Sequence, residues 1–182
     1  MIQQLLEQLD NSTRKLSQME HQLQQLLRYA SGEAQASLAE RVFTRYQGFV
    51  DEGYALGREA QAAGRLTPPP GVSEEMHLGQ YVDRYARDNL TAWLRSEGIA
   101  EGAGELVQVK RYLRDPLATG AYCIPDSRVP GGNIIFDGTI SSSKTITMPQ
   151  MIDFRAFSGG NNITIVRPTL LPGGGSYSLV FP

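Results

Sequence analysis

Over the first thirty positions the apolar residues keep a heptad. Ile2, Leu9, Leu16 and Leu23 fall at one seam position, and Leu5, Ser12, Met19 and Leu26 at the other. Seven of these eight positions are apolar, with Gln, Glu, Arg and Lys between them. This pattern predicts a coiled-coil-like helix ending at Ser31-Gly32, with Ser12 as its one polar interruption. The seam is expected to serve self-association through residues 2–27 or docking of a partner helix. The simpler alternative is an amphipathic helix packed on its own domain.

A second helix is predicted from Glu33 to Ala63, where Leu38, Val42, Tyr46, Phe49 and Val50 lie at helical spacing. Gly48, Gly53 and Gly57 weaken it, each by about 1 kcal/mol relative to alanine. Thr67-Pro-Pro-Pro-Gly71 is a stiff break, so the chain divides into a helical region, 1–70, and a second domain, 71–182. Ser73 is placed to cap a third helix, Met76 to Ser96, whose apolar face carries Leu78, Tyr81, Val82, Tyr85, Leu90, Trp93 and Leu94. Gly98 stops it.

After Gly104 the period shortens to that of strands. Strands are predicted over Leu106–Leu113, Ala121–Val129 and Asn133–Ile140, the last two joined by Pro130-Gly-Gly. A short helix follows from Met148 to Phe157, then strands at Asn162–Arg167 and Ser176–Phe181. The fold class is therefore α+β: helices, then a core of helix, three strands, helix and two strands.

At 182 residues, 41% hydrophobic and 20% charged, the chain reads as globular. No run reaches the roughly 18 apolar residues of a membrane helix, so no membrane partner is expected. No basic segment leads into an apolar core at the start, so no secretory signal peptide is expected. The single cysteine, Cys123, excludes an internal disulfide and a multi-cysteine zinc site; it alternates with Tyr122 and Ile124 and reads as a small buried residue. Net charge is −2, but residues 1–106 carry −5 and residues 107–182 carry +3, so the C-terminal part suits a polyanion better than the whole does.

The chemistry concentrates in Tyr122-Cys-Ile-Pro-Asp126, Phe136-Asp137-Gly-Thr139 and Lys144-Thr145. Two carboxylates and an ammonium converging on one point hold a divalent cation and activate water. Pro125-Asp126 and Asp137-Gly138 also read as ordinary turns, although Thr139-Ile140 continues the alternation and keeps Asp137 on a strand. His21 and His77 have no partners at ligand spacing. Tyr81, Tyr85 and Trp93 read as core, and Asp153 and Arg155 as solvated surface.

With Pro149-Gln150 and Ile165-Val-Arg167-Pro168, residues 76–182 resemble the PD-(D/E)xK nuclease core. They also look like the C-terminal toxin domains of bacterial polymorphic toxins, including Rhs-type and type VI secretion effectors. Tyr81-Val-Asp83, Leu94 and Ser96-Glu-Gly-Ile99 are similar to the helix preceding such cores. The resemblance implies a restriction-endonuclease-like fold and a metal-dependent nuclease, acting on DNA in preference to RNA as an antibacterial toxin. Asp126 and Asp137 would coordinate Mg²⁺ or Mn²⁺, with Glu97 as a third ligand from the preceding helix. Lys144 and Gln150 would complete the catalytic set, and Arg128 and Arg167 would contact nucleic acid, with Arg167 reading equally as an edge-strand arginine paired to a carboxylate. The motif asks for lysine where this chain has Thr139, so Lys144 has to reach the site from the loop. Such a toxin would be made in the bacterial cytoplasm, leave without a signal peptide, act in the target cell's cytoplasm and have a cognate immunity protein. The competing class is a structural component of an appendage or virion, a heptad helix feeding a glycine-rich β sandwich. A catalytically dead relative that only binds is the third.

Overall fold

The computed structural model describes residues 2–28, 32–99, 106–141, 144–160 and 162–182. The chain is α+β. Helix α1 spans Ile2–Arg28, α2 Gly32–Ala62 and α3 Glu74–Ser96. Strands β1 (Gln108–Val109), β2 (Leu113–Arg114), β3 (Tyr122–Cys123), β4 (Ser127–Val129) and β5 (Ile134–Gly138) follow, then helix α4 (Pro149–Ser158) and strands β6 (Asn162–Val166) and β7 (Tyr177–Leu179). Ser31 and Gly104, two of the expected breaks, lie outside the described residues.

Helix α2 runs through its three glycines because two of them admit α3. A Cβ at Gly57 would lie 2.5 Å from a Leu78 methyl carbon, and one at Gly53 would lie 3.0 Å from the Tyr85 ring. Close packing of the two helices thus offsets the propensity cost. Ser73 caps α3 by accepting from the Met76 amide at 3.1 Å. Its buried stripe is Leu78, Val82, Ala86, Leu90 and Leu94, a strict four-residue spacing. Leu38, Val42, Tyr46 and Val50 of α2 share one core with that stripe and with Val129, Phe136 and Val166 of the sheet. Helix α2, before the break at residues 67–71, thus shares its core with elements after it. The heptad seam of α1 stays in solvent: Ile2, Leu5, Leu9, Leu16, Met19 and Leu23 are all more than half exposed.

The main sheet has the order β1-β4-β5-β6-β7. Only β5 and β6 are parallel, joined across α4; the other pairs are antiparallel. Phe136 and Val166 face α2 and α3, whereas Ile135, Ile163 and Ile165 face Met151 and Phe154 of α4. The sheet is thus covered by helices on both faces, and its glycine turns are not those of a sandwich. Strands β2 and β3 form a separate hairpin, packed on α4 through Leu113 and Cys123.

Two predicted strands are each split in two. Lys110 has φ 49°, a left-handed conformation that ends β1 before β2 begins. Pro125 has no N–H to give a ladder, so Tyr122-Cys123 pairs with β2 while Ser127–Val129 pairs with β5.

Candidate functional site

The register Ser127↔Phe136 brings Asp126, the residue before β4, next to Asp137 near the end of β5. Both carboxylates are buried, at 6% and 2% exposure. A buried carboxylate has to be satisfied. Asp126 Oδ2 accepts from the Gly138 amide at 2.6 Å and from the Tyr46 hydroxyl at 3.2 Å. Its Oδ1 is paired with Lys110 Nζ, which also stands 3.2 Å from Asp83 Oδ1 on α3. The left-handed turn at Lys110 serves this contact, and the Lys110 amide donates to the Asp126 carbonyl at 3.1 Å.

Asp137 lies on the α4 side of β5, the side of Ile135. Its Oδ2 is paired with Lys144 Nζ, which also donates to Gln150 Oε1 at 3.2 Å. Lys144 is held by Tyr177 of β7: its amide donates to the phenol oxygen at 2.5 Å, and the phenol donates to its carbonyl at 3.0 Å. Lysine from the loop thus reaches the second carboxylate, and Gln150 in the first turn of α4 joins it. The group sits at the carboxyl ends of the parallel strands β5 and β6, where open α/β-type sheets leave room for ligands.

Burial raises the Asp137 carboxyl to about 7, the charge of Asp126 adds to the rise, and Lys144 pulls against it. Asp83 is also raised, first by burial and then by Asp126. Burial alone would lower Lys110, but Asp126 and Asp83 outweigh it and hold the ammonium above its ordinary value. Tyr46 is pushed well above its ordinary value by burial, then by Asp126, Asp83 and Asp137. The charge of Asp126 therefore makes both Asp83 and Asp137 harder to ionise, beside two lysines. An open cleft of about 510 Å³ adjoins them, lined by Tyr46, Met76, Gly79, Asp83, Gly138 and Thr139 among others.

Among the described residues no group of three or more His, Cys, Asp or Glu side chains is disposed to hold a metal ion. A hydrated Mg²⁺ needs less, since one or two carboxylates with water and substrate oxygens suffice. Asp126 and Asp137 offer the oxygen donors such an ion takes, and the Asp126 charge that raises Asp137 is one a cation would offset. Glu97 is not the third acid. It pairs with Arg41 at 2.5 Å and lies fourteen residues beyond Asp83 on α3, about 20 Å along the axis. The helix acid that reaches the site is Asp83.

Arg167 does not face a ligand either: it is 4% exposed, and its guanidinium donates to the Gly173 carbonyl at 3.4 Å. Arg128 is half-buried, donates to Asn133 Oδ1 at 3.4 Å and is lowered by burial. Cys123 is buried and its thiol is pushed up to about 12, chiefly by burial, as befits a packing residue. Lys110, Asp83 and Tyr46 were missed from sequence. One signal was available: the chain has only three lysines, and two of them are here. Comparison of the chain with family models, curated proteins and solved structures returned no match.

Proposed function

We propose that this protein is a metal-dependent nuclease that hydrolyses phosphodiester bonds, with DNA as the preferred substrate and an antibacterial toxin as its biological role. The observation that carries the reading is the joining of Asp137, Lys144 and Gln150 at the end of β5 and the start of α4, with the charge of Asp126 close enough to act on Asp137. Asp126 and Asp137 would hold Mg²⁺ or Mn²⁺. When bound, the cation supplies a water of lowered pKa and offsets charge on the scissile phosphate.

The chain's own groups do the rest. The Gly138 amide and Tyr46 fix the Asp126 carboxylate so that one oxygen keeps a constant direction. Lys110 holds the other oxygen and ties it to Asp83. Lys144, clamped by Tyr177, keeps an ammonium beside Asp137 where negative charge develops. Gln150 orients that ammonium by accepting from it. The toxin role, the immunity protein, export without a signal peptide and action in a target cell's cytoplasm follow from the resemblance of residues 76–182. The exposed apolar seam of α1 supports self-association as its part in the assembly.

Purified protein with Mg²⁺ or Mn²⁺ is expected to nick supercoiled plasmid, and Asp126→Ala and Asp137→Ala to stop it. Unchanged nicking by both variants would refute the reading.

A further inference from the structure

The β2–β3 hairpin shows two unlike faces. Leu113 and Cys123, paired across it, are buried against α4. The opposite face is in water and carries aromatic rings: Tyr112 is 60% exposed and Tyr122 53%. Their rings meet edge to face at 4.8 Å between centroids, and the Arg114 guanidinium lies 5.8 Å from the Tyr112 ring. Arg111 is exposed beside them. Even with each other and Arg114 as neighbours, both rings leave more than half of their surface to solvent, available to a stacking partner.

The hairpin is built to stay in place. Asp115 closes its turn: the carboxylate accepts from the Leu117 amide at 2.9 Å and from the Thr119 hydroxyl, and its amide donates to the Ala121 carbonyl at 3.0 Å. Asp115 is the one acid between residues 111 and 123, against Arg111 and Arg114. The ring-bearing face is therefore net positive, although the chain as a whole is negative. Both ends of the hairpin run into the candidate site, through Lys110 before β2 and Asp126 after β3, and these two residues pair. From Tyr122 to Asp126 the chain spans at most about 13 Å.

We propose that this face is a stacking platform for unpaired nucleotides, holding a single-stranded polynucleotide beside Asp126 and Asp137. It rests on the nuclease reading and narrows its substrate to strands with exposed bases. Base pairing in a duplex leaves the π faces stacked on one another, so an aromatic platform selects single strands. Arg111 and Arg114 take the phosphates, and Arg114 also backs the Tyr112 ring.

The test uses the full chain in EDTA, so that binding is read without cleavage, by anisotropy of a labelled twelve-nucleotide DNA single strand. The wild type is expected to bind it more tightly than the blunt duplex of the same sequence. Tyr112→Ala and Tyr122→Ala should each weaken binding by about tenfold, whereas Tyr112→Phe should keep it. Arg111→Gln and Arg114→Gln should each reduce the slope of log affinity against log salt by about 0.7. Equal affinity for duplex and single strand, no binding by the wild type, or unchanged binding by both alanine variants would overturn the platform. That last outcome would assign the face to a protein partner. Plasmid nicking is scored separately. Nicking with an inert hairpin leaves the nuclease and removes the platform, and hairpin-dependent binding without nicking does the reverse.

Discussion

Replacing Asp137 with asparagine should make the protein more stable and chemically inert at once. Asp137 is 2% exposed, and its carboxyl is raised from the ordinary 3.8 to about 7. Between those values the folded chain binds a proton that the unfolded chain has released, so stability falls as pH rises through that window and levels off above it. At 1.36 kcal/mol per unit, a rise of roughly three units is about 4 kcal/mol. Lys144 is already counted, since the raised value holds with the ammonium in place. The substituted side-chain amide would mimic the protonated acid at every pH. Asp137→Asn is therefore expected to match the wild type near pH 4 and to exceed it by up to about 4 kcal/mol at pH 8. Urea denaturation of both proteins across pH 4–8 measures the difference, and other titrating groups cancel in it. Mg²⁺ at pH 8 should stabilise the wild type by preferential binding to the folded state and leave the variant unmoved. A variant less stable than the wild type at pH 8 would refute the account, because Asp137 would then be a net stabilising ion-pair partner of Lys144.

Gly138→Ala puts a Cβ 2.6 Å from the Tyr46 hydroxyl and 3.2 Å from Asp126 Oδ2. It should displace Asp126, cost about 1–3 kcal/mol by overpacking and lower nicking at least tenfold, as thermal melting and plasmid assays would show. Glu97→Gln should leave nicking unchanged, because its partner is Arg41 and not the cluster. Leu9→Glu with Leu16→Glu should convert an oligomer into a 20.0 kDa monomer in sedimentation velocity, without loss of the helices and sheet that form the core. A wild type that already sediments as a monomer would remove the coiled-coil role of α1.

Local pattern carried far along this chain. The helix of α1, the Ser73 cap and the amphipathic character of α3 need only near neighbours in sequence, and they formed as read, although the buried stripe of α3 takes in Ala86 and leaves Tyr81, Tyr85 and Trp93 half-buried. The alternation of β5 placed Phe136 towards one core and Ile135 towards the other. It also kept Asp137 on a strand, and the short connection at Pro130-Gly-Gly set it beside Asp126. Those two positions were legible because a hairpin register is a local property.

What only the tertiary structure decided are the partners that come from afar. Lys110 reaches Asp126 because a left-handed residue ends β1, and nothing in a lysine's neighbours announces that turn. Tyr46 comes from α2, eighty residues before Asp126, because Gly53 and Gly57 let α3 settle close against that helix. Asp83 and not Glu97 supplies the helix acid, since position along α3 relative to the sheet, and not spacing in sequence, sets which carboxylate arrives. Arg167 looked like a phosphate contact beside Pro168 and is instead enclosed by the loop that returns at Gly173. For Tyr46, Asp83 and Lys110 the sequence named a residue type, while burial and charge around Asp126, assembled from segments far apart in the chain, decided what that residue does.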